Sequence, residues 1–284
     1  MRNKIFLFVL FFFFSLTSCE IINPGEDVPS YIRVENISLV TDSLTQGSAS
    51  NKITDAWLYV DNQLLGAYEM PVTIPVLEEG IHTIAIRGGV IVNGISATRV
   101  YYPFYGFYND TVNLARGAVT TISPVVNYFS GAVFALNESF SGPGYDVVAS
   151  SASDTNYTVI NDPNNSFEGG TGAAYLDAAH LIFECEPDDS LLLPVNDPVY
   201  MELNYKSNTD FSVSMRAITS QQVYDIFILN IRSTAEWKKI YINLANGILY
   251  YPNALGFKPY IHMERNSAVG DARLYFDNIK VVHF

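Results

Sequence analysis

The residues able to do chemistry in this chain are few and scattered. Its four histidines form no His-x-His or His-Glu-x-x-His pair, the spacing that sets two imidazoles on one metal. No Gly-x-Ser-x-Gly elbow presents a nucleophilic serine. Gly169-Gly170-Thr171-Gly172 lacks the Gly-Lys-Ser/Thr ending of a phosphate loop, and the residues after it read as a strand. Glu184, Glu186, Asp188 and Asp189 cluster, but Pro187 interrupts them. That pattern predicts a solvated loop, not two carboxylates opposed across a glycosidase cleft. Tyr260, His262 and Glu264 are spaced by two, which puts them on one face of a strand. They either hydrogen-bond a polar ligand or form an ordinary hydrated sheet face. The inventory holds no catalytic set, and the chain is expected not to be an enzyme.

The elements that must position these residues are strands. The 284 residues are 49% hydrophobic and only 16% charged, which excludes a disordered chain. Lys and Arg total 16 against 29 Asp and Glu, a formal charge of -13. With no basic stripe, a nucleic-acid partner is not expected. Ala56, Leu58 and Val60 alternate with Trp57, Tyr59 and Asp61, and Phe211, Val213 and Met215 alternate with Ser212, Ser214 and Arg216. This period of two, with turn residues between runs and no amphipathic helix, predicts an all-β chain.

The first residues predict an address. A basic start, Met1 to Lys4, precedes an apolar run from Ile5 to Leu16. The run is too short to span a bilayer and fits a secretory signal. It ends in Leu16-Thr17-Ser18-Cys19, which resembles the lipobox of bacterial lipoproteins. The resemblance implies cleavage after residue 18 and acylation of Cys19. Two or more acyl chains hold a protein stably on a membrane. Residues 19–30, with Glu20, Glu26 and Asp27, then form a tether and resemble the acidic export tags of Bacteroidota surface lipoproteins. The expected location is the outer membrane, with the cell surface favoured over the periplasmic face. Cys185 is then unpaired and expected as a buried thiol.

Residues 31–128 are expected to form an Ig-like β-sandwich. Ala56 to Gly66, Pro71 and Glu79-Gly80-Ile81-His82-Thr83-Ile84 resemble the PEGA-type surface-layer module, a non-catalytic sandwich. His82 shares the alternation of Ile84 and Ile86, so it reads as a core histidine capping a strand. Tyr101, Tyr102, Phe104, Tyr105, Phe107 and Tyr108 put six aromatics in eight residues, around Pro103 and Gly106. They read as a partner-docking surface or as internal packing.

Residues 129–284, after a boundary at Ser130-Gly131, resemble galactose-binding-like jelly rolls, the fold of many carbohydrate-binding modules. The matching pieces are Glu138-Ser139-Phe140, Gly172 to Leu176, Met201 to Ser207, Trp237 to Ile240, and Leu274 to Val281. The resemblance implies a structural calcium on Glu138 and Asp277, with Glu168 as a further oxygen donor. It also puts Glu202, Asn204, Arg216, Tyr260, His262 and Glu264 on the solvent side of the strands. Asp42-Ser43-Leu44, Asp110-Thr111-Val112 and Asp189-Ser190-Leu191 resemble the Bacteroidota O-glycosylation triplet, which makes Ser43, Thr111 and Ser190 acceptor candidates.

These residues admit two functions. The first is an interaction or accessory subunit of a cell-envelope protein complex, docking through Tyr101 to Tyr108. The alternative is a lectin-like surface lipoprotein that binds glycan through the jelly roll. The scarcity of tryptophan in the second unit, Trp237 alone, favours the first.

Overall fold

The computed structural model describes residues 28–268 and 270–284, and the chain is all-β as expected. The leader, Cys19 and most of the expected tether lie outside the described residues. The first ten strands are β1 (Ser30–Val34), β2 (Ser38–Val40), β3 (Asp55–Val60), β4 (Gln63–Glu69), β5 (Val72–Val76), β6 (Gly80–Ile91), β7 (Arg99–Tyr101), β8 (Phe107–Leu114), β9 (Val119–Ile122) and β10 (Val125–Asn127). β4-β3-β6-β7, with β8 also on β6, make one sheet. β5-β1-β9 and the pair β10-β2 cover its inner side, and β9 and β10 run parallel to their partners. The alternation read in β3 is real: Ala56, Leu58 and Val60 are buried with Ile32, Ile74 and Ile84 between the sheets.

The β3–β4 hairpin turns on Asp61 (φ 47°) and Asn62 (φ 66°). Two successive left-handed residues give the hairpin turn whose twist matches its strands, and Asn tolerates that backbone without glycine. The Asp61 carboxylate accepts the Thr83 N–H (2.9 Å) and meets His82 Nδ1 (2.7 Å). His82 is therefore a strand-end histidine that pins a turn.

The remaining strands are β11 (Val133–Glu138), β12 (Val147–Ala149), β13 (Thr158–Ile160), β14 (Thr171–Leu176), β15 (Ile182–Pro187), β16 (Val199–Ser207), β17 (Phe211–Ile218), β18 (Val223–Ile231), β19 (Thr234–Asn243), β20 (Gly256–Glu264) and β21 (Ala272–His283). One sheet runs β13-β14-β21-β16-β19, with β11 also on β21. The other runs β12-β15-β20-β17-β18. Phe183, Val213, Met215, Ile261 and Phe276 fill the space between them. Cys185 joins this core, and burial pushes its thiol well up, so it stays protonated and inert.

The two sandwiches meet in a buried seam. Glu202 and Asn204, expected on the solvent side of β16, are instead part of it. They are 0% and 2% exposed, because the first sandwich covers that face of the sheet. Glu202 Oε1 accepts the hydroxyls of Tyr102 and Tyr128, each at 2.8 Å. Its Oε2 lies 2.7 Å from Lys239 Nζ. Burial opposes ionisation of Glu202, but Lys239 and Lys280 outweigh it and hold the carboxyl below its usual range. Lys280 reaches across to the Ser48 carbonyl (2.6 Å), Ser50 donates to Asn204 (3.0 Å), and the Tyr105 and Tyr241 hydroxyls meet at 3.0 Å.

The aromatic stretch is divided by this seam. Tyr102, Phe104 and Tyr105 are fully buried in it, so they cannot be a docking surface. A strand cannot bury rings so densely on its own, and the second sandwich supplies the missing cover. Tyr108 is half-buried and donates to Asp110 (2.9 Å). Only Tyr101 and Phe107 keep substantial exposure, with the Arg87 guanidinium 4.0 and 5.0 Å from their ring centres.

Candidate functional site

The outward face of the β12-β15-β20-β17-β18 sheet gathers most of the polar chemistry of the second sandwich. It arises from the same alternation that fills the core. Phe183 and Cys185 point inward, so Glu184 and Glu186 point out. Val213 and Met215 point inward, so Ser212, Ser214 and Arg216 point out. Strand register then sets these side chains in rows. One row is Glu184, His262, Ser212 and Asn230. The next is Tyr260, Ser214 and Phe227, and the third is Lys258, Arg216 and Asp225.

Arg216 organises the face. Its Nη2 donates to both oxygens of Glu184 at 2.8 Å, and its Nη1 pairs with Glu186. Its Nε lies 3.4 Å from Asp225, and its guanidinium lies 4.1 Å over the Tyr260 ring. Lys258 bonds Glu186 (3.3 Å), and the Tyr260 hydroxyl donates to Asp225 (3.1 Å). His262 lies between Glu264 (Nε2, 3.1 Å) and Glu184 (Nδ1, 3.8 Å). Such a network fixes the rotamers of the face.

The electrostatics bear on catalysis. Burial alone would raise Glu184, but His262 and Arg216 overcome it and hold the carboxyl below its usual range. A carboxylate so held is no proton donor at neutral pH, whereas glycoside cleavage needs one carboxyl kept protonated. Conversely, the nearby Glu184 carboxylate raises His262 against the effect of burial, and Glu264 adds to the rise.

The spacing of Tyr260, His262 and Glu264 predicts one strand face, and the structure brings them together there. Tyr260 is 8% exposed and covered by Arg216, so its ring is a strut for the network and not a platform. The exposed ring of this face is Phe227, 63% exposed and opposite Ser214. Sequence reasoning missed it, since one apolar residue in β18 carries no signal of its direction. A bulge between Val213 and Ser214 shifts the β17–β18 register there. Glu184 and Glu186 stand on a strand and not in the loop that Pro187 suggests. Pro187 is the last residue of β15, and the alternation with Phe183 and Cys185 was the available signal. At one end of the face a hollow of about 350 Å³ lies against His262, Glu264, Ser212 and Asn230.

The calcium expectation does not fit the residues present. Among the described residues no group of three or more His, Cys, Asp or Glu side chains could hold a metal. Glu138 Oε1 and Oε2 accept the Phe140 and Asp146 N–H groups at 2.5 and 2.6 Å. Asp277, 0% exposed, accepts the Thr171 hydroxyl (2.8 Å), and burial lifts its carboxyl to about 7. Glu168 bonds Ser48 (2.5 Å) and Asn278 (3.3 Å), stitching the second sandwich to the first. Ser43, Thr111 and Ser190 are all exposed, Ser43 in a turn and Thr111 on β8.

No protein-family model and no curated protein sequence matches this chain. The solved structures similar to it include β-sandwich carbohydrate-binding modules. One is the CBM22-1–GH10 portion of Clostridium thermocellum endo-1,4-β-D-xylanase 10B complexed with xylohexaose. It is 15% identical with a TM-score of 0.38, over 52% of this chain and 28% of that one. A family 61 module in complex with β-1,4-galactotriose is 13% identical with a TM-score of 0.30, over 49% and 87% of the two chains. A module from the β-sandwich superfamily described as promiscuous in specificity is 13% identical with a TM-score of 0.37, over 80% and 84%.

Proposed function

We propose that this chain is a non-catalytic glycan-binding protein of the bacterial outer membrane, anchored through lipid on Cys19. The outward face of the β12-β15-β20-β17-β18 sheet binds the glycan. The observation that carries the reading is Phe227, a 63% exposed ring opposite Ser214, on a sheet face that also carries Ser212, Asn230, Arg216 and His262. A sugar ring has one apolar C–H face and a rim of hydroxyls. It needs one flat apolar platform and several fixed hydrogen-bonding groups, and this face supplies both. The accessory-subunit reading loses its main support, since three rings of its docking stretch are buried within the chain.

The test is affinity electrophoresis through gels containing xylan, β-mannan or β-1,4-galactan. The unsubstituted chain is expected to be retarded by at least one of them. Phe227→Ala should weaken that retardation by about tenfold, the loss of roughly 1.4 kcal/mol of stacking. Its melting temperature should stay unchanged, because the ring is mostly in water. Full retardation of Phe227→Ala, or of a Phe227→Ala/His262→Ala double variant, would remove this face as the site.

A further inference from the structure

A second cavity lies away from this face. It is a cleft of about 600 Å³ where the two sandwiches meet, within the size range of small-ligand sites. Each sandwich contributes a wall. The first supplies Trp57 from β3 and Tyr101 from β7. The second supplies Asn196 and Asp197 from the loop before β16, and Leu249 from the end of the helical turn Ala245–Ile248. Trp57 and Tyr101 meet edge to face with ring centres 5.4 Å apart. Arg87 lies 4.0 Å from the Tyr101 ring centre and so steadies that ring.

The cleft is built by residues already tied down. Tyr101 is followed by Tyr102, whose hydroxyl is bonded to Glu202 across the seam. Asn243, deeper in the wall, is held by the Tyr200 hydroxyl (3.4 Å) and the Ala245 N–H (2.9 Å). Asn196 and Asp197, in contrast, are exposed at the rim, and no side-chain hydrogen bond engages them among the described residues. Two aromatic side chains, with Tyr101 40% exposed, and a rim of unengaged amide and carboxylate groups match a sugar ring with its hydroxyls. The one charged group in the lining is Asp197, and no cation lines the cleft among the described residues. An acidic sugar would meet repulsion there, in a chain of net charge -13.

We infer that the inter-sandwich cleft between Trp57, Tyr101 and Asp197 is a second binding site, and that it takes a neutral sugar unit. It is independent of the sheet face proposed above, since no residue belongs to both. The chain would then grip a neutral polysaccharide at two places, and the second contact would be made at the effective concentration set by the first.

The chain has only two tryptophans, Trp57 in the cleft and Trp237 beside Phe167 on β19. The full-length chain labelled with 5-fluorotryptophan, in detergent, therefore gives two fluorine resonances. Tyr101→Ala shifts the Trp57 resonance and so identifies it. Titration with xylohexaose, mannohexaose and β-1,4-galactotriose is expected to move the Trp57 resonance saturably with at least one of them, while Trp237 stays still. Hexagalacturonate should move neither. Leu249→Arg, at an exposed position on the opposite wall, should abolish the response and leave the melting temperature unchanged. Phe227→Ala should leave the response intact, which separates this site from the sheet face. A Trp57 resonance unmoved by all three neutral oligosaccharides overturns the inference. So does a response lost in Phe227→Ala, retained in Leu249→Arg, or seen with hexagalacturonate alone.

Discussion

Glu202→Gln is the sharpest test of how the two sandwiches are joined. The carboxylate is 0% exposed and faces Lys239, itself 3% exposed, with Lys280 close enough to be pulled by it. Gln keeps an oxygen for the Tyr102 and Tyr128 hydroxyls but removes the charge. The buried Lys239 ammonium is then left without its counter-ion, and Lys280 keeps only Glu168. Breaking a buried pair in this way costs about 3–5 kcal/mol. For a domain of this size each kcal/mol lowers the melting temperature by about 2–4 °C, so a fall of roughly 6–20 °C is expected in scanning calorimetry. The double variant Glu202→Gln/Lys239→Met removes one orphan charge as well and should recover much of the loss. A single variant that loses under about 1 kcal/mol, or a double variant no better than the single, would refute the argument. The pH dependence gives a second reading. Burial depresses Lys280 to about 8, with Glu202 opposing the fall. Between that value and the 10.5 of a free lysine, the unfolded chain holds the extra proton. The contribution of Lys280 to stability therefore rises with pH across that window. Above pH 10.0 the buried Tyr102, Tyr105 and Tyr128 reverse the trend, because only the unfolded chain can ionise them readily.

Three further outcomes are expected. The His262 value is raised above 6.5, so its stabilisation is complete below 6.5 and is lost as pH rises through the folded value. His262→Gln should flatten the alkaline side of the melting-temperature profile, and a profile unchanged in shape would contradict the Glu184 contact. Cys19→Ser should stall with its leader attached or leave the membrane fraction, and a normally processed, membrane-bound Cys19→Ser chain would end the lipoprotein reading. Intact mass of the native chain should exceed polypeptide plus lipid, with glycan on at least one of Ser43, Thr111 and Ser190; a mass equal to those two components alone would remove that assignment.

Much of this fold was legible because a strand with one buried face writes a period of two into its sequence. Ala56, Leu58 and Val60, and Phe211, Val213 and Met215, are core where the alternation puts them. The outward Tyr260, His262 and Glu264 followed from the same rule. The seam was not legible. Alternation separates two faces but does not say whether water or another sheet covers the second one. Nothing in β16 itself therefore shows that Tyr102 and Tyr128 cover Glu202. The rings from Tyr101 to Tyr108 carried the complementary half of that information. Their density required cover, but nothing local names a partner about 100 residues further along the same chain. Glu184 and Glu186 were hidden by Pro187, a residue that ends a strand as readily as it marks a loop.

The position of β21 has a consequence for the order in which this chain can be made. It follows every other described strand in sequence, yet it lies inside its sheet, pairing with β16 along one side and with β14 and β11 along the other. It also carries Lys280 and Val282 into the seam. Synthesis delivers a chain from its N-terminus, so the seam stays incomplete until Ala272–His283 arrives with Lys280 and Val282. Long-range closure of this kind is slow and keeps apolar surface open. It also makes the final strand a checkpoint: a chain ending before Ala272 cannot close either the second sandwich or the seam, and would be left to proteolysis.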